Sequence, residues 1–495
     1  MKRRKALQQI GAGLSAGLVL PWLSSCKDDE PGPEIKYGGV VGIIGAGAAG
    51  LFAGDYLINK GIKVQIFEAS QRIGGRVRVL RPFDTPGAGL WFNENAKLSS
   101  DFPVELGADR ILGDENSRWH KFVKQQSYLT FPLSADVPDQ YWINDALIDA
   151  ETASAIPAFQ NSSTFLNNLG TLTGSSQTVQ QAIAGSGIDA SMHGVLEGWI
   201  ANQYGTTNDR LAVNGLAEAQ NLRTRSSDSY LLDHNPMADV LIGSFIKASD
   251  NVQLNMVVKQ IDYSGDKVIV TGEKQKGSST EVFTATFDKV IITVPVSILK
   301  SGDITFNPPL PSGKVSAMSN IGMDSAIRVM LDFRKKIWDS DFKSIYGGAK
   351  GTEYFNPGSG GRSDVARTLS VTLSGKRAED LSSLGVDIIP ELLSELDAMF
   401  DGQATPNVRR DTTAAADYIA VVQDWGKEPF IRGSMSYLKT GGTKNHRVTL
   451  GAPVGDVLFF AGEATDAEGE AGTLNGALQS AERAAQEVVS SITGA

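Results

Sequence analysis

Residues 39–68 restrict what this chain can fold into more than any other stretch. Gly39-Val40-Val41-Gly42-Ile43-Ile44 is a short, mostly β-branched run of the kind that forms a buried parallel strand. Gly45-Ala46-Gly47-Ala48-Ala49-Gly50 follows at once and matches the G-x-G-x-x-G pattern. Leu51 to Asn59 reads as a helix turning Leu51, Tyr56 and Leu57 toward a sheet, with Gly61 ending it. Lys63-Val64-Gln65-Ile66-Phe67 is a second strand that closes at Glu68. Gly45 permits the tight turn, Gly47 lets backbone approach a pyrophosphate, and Gly50 lets helix and strand pack closely. Ala48 and Ala49 open the helix, where unpaired N–H groups and the dipole favour phosphate. Glu68 lies about 20 residues beyond the glycines, where an acid accepts ribose hydroxyls and repels a 2′-phosphate, so NADP is disfavoured. This order predicts a dinucleotide on a doubly wound sheet.

Other chemistries are disfavoured by composition. The 495 residues carry a formal charge of −10, which gives no general attraction for nucleic acid. The single cysteine, Cys26, allows neither an intramolecular disulfide nor a cysteine metal site. His120, His193, His234 and His446 are not spaced as zinc ligands, so no catalytic metal is expected.

The first residues read as an address. Lys2-Arg3-Arg4-Lys5 precedes an apolar run from Ile10 to Leu23, too short for the ~20 residues of a membrane span. Basic start, apolar run and small residues are the layout of a secretory signal peptide, residues 1–25. Leu23-Ser24-Ser25-Cys26 resembles the bacterial lipobox, which implies lipidation of Cys26, and Arg3-Arg4 resembles the twin-arginine export signal. Residues 26–37 then serve as a polar tether. The expectation is an exported bacterial protein, lipid-anchored on the periplasmic or cell-surface face of a membrane.

After Glu68, Ala69-Ser70-Gln71-Arg72-Ile73-Gly74-Gly75-Arg76-Val77-Arg78 offers more backbone donors and a charged fork for a diphosphate. Here the chain resembles the flavin amine oxidase superfamily, the monoamine oxidase and L-amino acid oxidase-like enzymes. The likeness runs over most of the sequence, from about residue 38 to 492. It implies FAD, with Gly75 and Arg76 at the pyrophosphate and the Val258 backbone, in Asn255–Ile261, at the adenine. Lys289–Pro295 resembles the strand that closes the middle piece of the flavin domain. Leu458–Thr465 resembles the family's last strand, which assigns Gly462 and Glu463 to the pyrophosphate and ribityl region. Gly472, Thr473 and Leu474 open a final helix, with Ala477, Ala481, Ala484 and Val488 at packing spacing and its N-terminus toward the flavin N1/C2=O edge. Ser434 stands where some members carry a cysteine bonded to FAD, so the cofactor is expected to be noncovalent.

On the substrate side, Pro103–Ile111 resembles the L-amino acid oxidase segment that follows the flavin loop. Gly107 and Ala108 fall to the cofactor, and Arg110 to a substrate carboxylate; the alternative for Arg110 is a structural salt bridge. Ile321–Phe333, followed by Trp338, resembles the segment whose lysine holds a water near flavin N5. Here that residue is Arg328, whose planar fork does not replace an ammonium freely. Trp425 matches a tryptophan beside the flavin, while Met435 and Thr473 replace the aromatic pair of monoamine oxidases. Residues 113–247 carry no motif; Ser162-Ser163, Gly174-Ser175-Ser176 and Gly185-Ser186 punctuate short helices, including an amphipathic run from Leu196 to Ile200.

The resulting expectation is an α/β protein with a Rossmann-like FAD-binding domain, residues 38–112, 248–305 and 441–495. An α+β substrate domain, residues 113–247 and 306–440, completes it. The chemistry expected is oxidation of an amine or amino acid by hydride transfer to flavin N5, giving imine and hydrogen peroxide. Two alternatives stay open: a dehydrogenase or desaturase-like enzyme passing electrons to a quinone, and a tethered flavin-binding protein without amine turnover.

Overall fold

A computed structural model describes residues 35–494 apart from 95, 134–135, 175, 278 and 412–417. Residues 1–34, and with them the signal, export and lipidation readings at Arg3, Arg4 and Cys26, lie outside the described residues. Among the described residues no helix is long and apolar enough to cross a membrane.

The protein is α/β. Its nucleus is a parallel sheet ordered Leu458–Phe460, Lys289–Ile292, Val40–Ile44, Lys63–Phe67, Val252–Gln253. These strands come from widely separated stretches of chain: the first, Val40–Ile44, is central and the last, Leu458–Phe460, is at the edge. Val41, Ile43, Ile66 and Ile291 face the helices Ala48–Asn59 and Leu474–Thr493, whose Leu51, Ala53, Leu57, Ala481, Ala484 and Val488 are buried against them. Tyr56 is only half-buried, and the small Ala53 occupies the helix–sheet seam instead. The opposite face bears Ile44, Phe67, Ile292 and Phe460, covered by a four-stranded sheet of Met256–Asp262, Val268–Lys276, Ser279–Phe287 and Thr305–Asn307.

A second, eight-stranded sheet runs Leu90–Phe92, Ala420–Asp424, Ala326–Asp332, Thr368–Ser374, Glu353–Phe355, Ser344–Tyr346, Gln140–Ile143, Ala146–Asp149. Side chains alternate across a strand. Ile327, Val329 and Leu331 therefore enter a core with helix Ile388–Met399, leaving Ala326 and Arg328 on the other side. Trp338 belongs to that core, edge-on to Phe342 at 5.7 Å.

Short helices fill residues 150–222. The helix Val179–Gly185 ends where Gly185-Ser186 marks a break, but Ser162-Ser163 marks none. Ser162 is buried inside helix Pro157–Asn168 because its hydroxyl donates to Ala158 O at 2.9 Å, satisfying itself on the helix's own carbonyl.

Candidate active site

The carboxyl ends of the parallel strands open into a cavity of about 460 Å³, the expected crevice of such a sheet. Gly45, Gly47, Ala48 and Ala49 line it, as do Glu68, Gly75 and Val258. Glu68 organises the turn: Oε2 accepts from Ala46 N at 2.9 Å and Oε1 from Ser70 N at 2.9 Å. No side chain caps helix Ala48–Asn59, so its first N–H groups are left for a ligand. Gly50 is not on the wall. A Cβ there would lie 2.0 Å from Gly45 O, so its role is the close crossing of helix and strand.

A flavin dinucleotide fits these walls. A Cβ on Gly47 would meet nothing within 4 Å, which leaves room for a phosphate against the backbone. Arg72 lines the same stretch with its Nη1 buried and without a partner among the described residues, suited to an anion. Sequence reasoning gave Arg72 no role, although it lies one turn of loop before Arg76.

Arg76 and Glu463, 387 positions apart, meet at 2.7 Å, and Arg76 Nη1 also donates to Ser434 O at 2.6 Å. Glu463 is buried, its Oε2 accepting from Ser436 Oγ at 2.6 Å and Gly472 N at 2.7 Å. Burial works against its charge, but Arg76, Arg447 and the Ser436 hydroxyl prevail and hold its pKa below the usual range. Arg447, itself buried, donates to Ser436 Oγ at 2.7 Å and steadies the acceptor from behind. Ser436 and Arg447 escaped the sequence reading because a supporting shell has no spacing signature. Gly462, Gly472, Thr473 and Leu474 line the cavity, and Thr473 caps the final helix by accepting from Gly476 N.

Trp425 and Gly107 close one wall beside Ala108. The indole donates to Leu106 O at 3.0 Å, and a Cβ on Gly107 would strike Arg76 O at 1.9 Å and Trp425 at 3.1 Å. Met435 also lines the cavity, and Ser434 Oγ lies between Gly205 O and Asp324 O.

The far end is built by strand register. Glu353 pairs with Thr372, Thr372 with Arg328, and Arg328 with Gln423, which sets one row across four strands. Glu353, Thr372, Ser374 and Arg328 line the cavity from the sheet, while Asn202 and Gln203 reach it from the turn Ala201–Tyr204. Arg328 pairs with Asp109 at 2.9 Å. Arg110 also lines the cavity, donates to Glu353 Oε1 at 2.7 Å and lies over the Phe355 ring. Burial opposes its charge, yet the Glu353 and Asp109 carboxylates raise its pKa above the ordinary guanidinium value. With Nη2 committed to Glu353, a donor Arg110 has left for a carboxylate is its buried Nε, which has no partner among the described residues. Glu353, Thr372, Ser374, Asn202 and Gln203 carried no signal in the sequence. Among the described residues no group of acids, histidines or cysteines is arranged to hold a metal.

Residues 48–191 and 235–489 match the family described as flavin containing amine oxidoreductase. Lysine-specific histone demethylase 2 of Homo sapiens is 27% identical over 477 residues, spanning 90% of this chain and 53% of that protein. Probable polyamine oxidase 4 of Arabidopsis thaliana is 27% identical over 469 residues, spanning 90% of this chain and 86% of that one. The chain thus spans about half the length of the human demethylase it matches. Among solved structures, putrescine oxidase bound to putrescine superposes with a TM-score of 0.71 at 18% identity, covering 91% of this chain and 99% of that one. Cyclohexylamine oxidase from Brevibacterium oxydans gives 0.70 at 17% identity, covering 91% and 98%. These two likenesses establish the shared fold.

Proposed function

The chain belongs to the flavin-containing amine oxidoreductase family, and we propose that it is an FAD-dependent oxidoreductase that oxidises a small amine lacking a carboxylate. The imine and hydrogen peroxide are the products, with dioxygen as acceptor. The observation that carries this reading is the single cavity that continues from Glu68, past Arg76 and Trp425, to the paired Arg110 and Glu353.

Bound FAD supplies a two-electron acceptor for the hydride on the carbon that bears nitrogen. Gly45, Gly47, Ala48, Ala49, Arg72 and Arg76 are assigned to its phosphates, Glu68 and Val258 to the adenosine half, and Gly462, Glu463 and the Gly472–Leu474 turn to the flavin half. The chain's only cysteine is Cys26, far from this site in sequence, which agrees with noncovalent binding.

The substrate end is charge-balanced, with Arg110 against Glu353 and Arg328 against Asp109. Arg110, Ser344 and Tyr346 all donate to Glu353 Oε1, so Oε2 is the oxygen left to accept from an incoming amine. Ala326, Met435 and Trp425 supply apolar wall that excludes water from the reacting carbon. The solved relatives named above are oxidases of putrescine and cyclohexylamine, neither of which carries a carboxylate. A second reading, an amino acid substrate, draws on Arg110 Nε, which is buried with no partner among the described residues.

Anaerobic absorbance titration of the yellow holoenzyme with amines and amino acids tests both. Bleaching by amines alone is expected. Bleaching by amino acids alone would establish the second reading, and no bleaching by any member would refute amine oxidation. Admitting air then reads the acceptor: turnover with a quinone but no peroxide would remove dioxygen from the scheme.

A further inference from the structure

A smaller chamber of about 30 Å³ adjoins the main cavity, and Asp109 and Arg328 line both. Its remaining polar walls are Glu105, Arg362, Asn235 and Ser370. Glu105 Oε1 accepts from Met237 N at 2.7 Å, at the start of helix Met237–Ser244. Its Oε2 is buried with no partner among the described residues. Arg362 commits Nη1 to Pro357 O and Nη2 to Leu232 O and Asp233 O, and its Nε is likewise buried and unpartnered. A lone carboxyl oxygen and a lone N–H on one enclosed space are the partners a buried water takes. The chamber also exceeds the ~10–15 Å³ that one water needs.

We propose that this chamber holds ordered water and that Glu105 donates through it the proton needed when dioxygen is reduced in the main cavity. The proposal rests on the reading of dioxygen as acceptor given above. Dioxygen that takes the two electrons and one proton of the hydride needs one further proton to leave as hydrogen peroxide. The Glu105 O–H bond breaks, the second O–H bond of peroxide forms, and the carboxylate left behind lies near the Arg328 and Arg362 guanidiniums. The proton an ammonium substrate sheds before oxidation balances the one Glu105 delivers, and water in the chamber returns it. Arg328 joins the two spaces, its Nη1 lying 2.9 Å from Asp109 Oδ2 and 3.4 Å from Glu105 O.

The resting charge agrees with a donor. Burial pushes Glu105 up to about 8; Asp109 adds to this, while the Met237 N–H, Arg328 and Arg362 act against it. Asp233, Asp109 and Asp101 in turn face Arg362, so no bare positive charge is left to ionise Glu105. A carboxyl that only capped helix Met237–Ser244 would show the same bond to Met237 N but would carry no proton to the reaction.

Holoenzyme reduced with dithionite, and so independent of any amine, is mixed with oxygenated buffer across neutral to alkaline pH. In the wild type the reoxidation rate is expected to fall as pH rises through about 8. Glu105→Gln should be slower by roughly 10²-fold and lose that limb, while Glu105→Asp should restore part of the rate with the limb displaced. Infrared spectra of resting holoenzyme should show a deuterium-sensitive carboxylic acid carbonyl band that Glu105→Gln removes. Where the Gln variant does not fold, the wild-type band and the Asp profile carry the test. No such band at neutral pH would overturn the proposal. So would an unchanged reoxidation profile in Glu105→Gln, or a wild-type enzyme that oxygen does not reoxidise. A holoenzyme that no amine bleaches, but whose reoxidation follows the expected profile, would refute the substrate reading and still support the chamber.

Discussion

Two glycines three positions apart are expected to respond to the same substitution in opposite ways. Gly47 has φ −79° and ψ −176°, an extended conformation open to any residue, and a Cβ there meets nothing within 4 Å. Gly47→Ala therefore strains nothing in the protein and restricts the unfolded chain, so the deflavinated protein should gain about 0.4–1 kcal/mol. The new methyl occupies the space where a pyrophosphate comes against backbone. An overpacked contact of about 1–3 kcal/mol should weaken FAD by roughly 5- to 150-fold. At Gly50 the Cβ would lie 2.0 Å from Gly45 O and 3.1 Å from both Gly45 C and Thr293 Oγ1. Carbon contacts are comfortable at about 3.5–4.0 Å, so the helix and the first strand must part by more than an ångström. Both obstacles at Gly45 are backbone, which cannot swing aside. Gly50→Ala should cost about 3 kcal/mol or more of stability before any ligand is added. Urea unfolding of the deflavinated variants, with FAD titrated by quenching of flavin fluorescence, reads both quantities. A Gly47→Ala protein that binds FAD like wild type, or a Gly50→Ala protein of wild-type stability, would refute the reasoning.

Arg76→Met should destabilise the protein by about 2 kcal/mol, less than the ~3–5 kcal/mol typical of an orphaned buried charge, because Glu463 keeps Ser436, Gly472 N and the neighbouring Arg447. Glu463→Gln on that background should recover part of the loss, so a urea-denaturation double-mutant cycle should give about 1–2 kcal/mol of coupling; strict additivity would sink the pair. Glu105 supplies a pH signature of the fold itself. Its pKa is raised in the folded state, so its favourable contribution is present at acid pH and lost as pH rises from about 4.5 through about 8. Wild type should therefore lose stability relative to Glu105→Gln across that window and level off above it, and parallel pH–stability curves would show that Glu105 ionises normally.

The dinucleotide half of the site was legible because each of its requirements falls on backbone, and backbone requirements leave a residue signature. Gly45 at φ +109° and the crowded Gly50 each admit essentially one residue type, Gly47 is kept bare by the pyrophosphate that comes against it, and Glu68 sits at a spacing set by one βαβ turn. The substrate half was opaque for the opposite reason. Glu353, Thr372 and Arg328 become neighbours only through the register of three strands, and any polar residue is sterically acceptable on that row. Arg110 illustrates the limit: the sequence offers it as a carboxylate grip or a structural salt bridge, and the acid it pairs with, Glu353, lies 243 positions away. Ser162 misled as a break because a hydroxyl that bonds its own helix leaves no trace in composition.

The interleaving of the parallel sheet also dictates when the cofactor site can come into being during synthesis. The glycine turn emerges from the ribosome early, yet the strand beside it, Lys289–Ile292, and that strand's own outer neighbour, Leu458–Phe460, arrive far later. The acid that meets Arg76 and the helix that packs on Ala48–Asn59 come with the last of them. Between the synthesis of Val40–Ile44 and that of Lys289–Ile292 a nascent chain thus exposes an unfinished parallel edge, and slow long-range pairing of this kind is where aggregation competes with folding. The yield of folded protein is therefore expected to depend on whether that edge is shielded until Lys289–Ile292 and Leu458–Phe460 have paired.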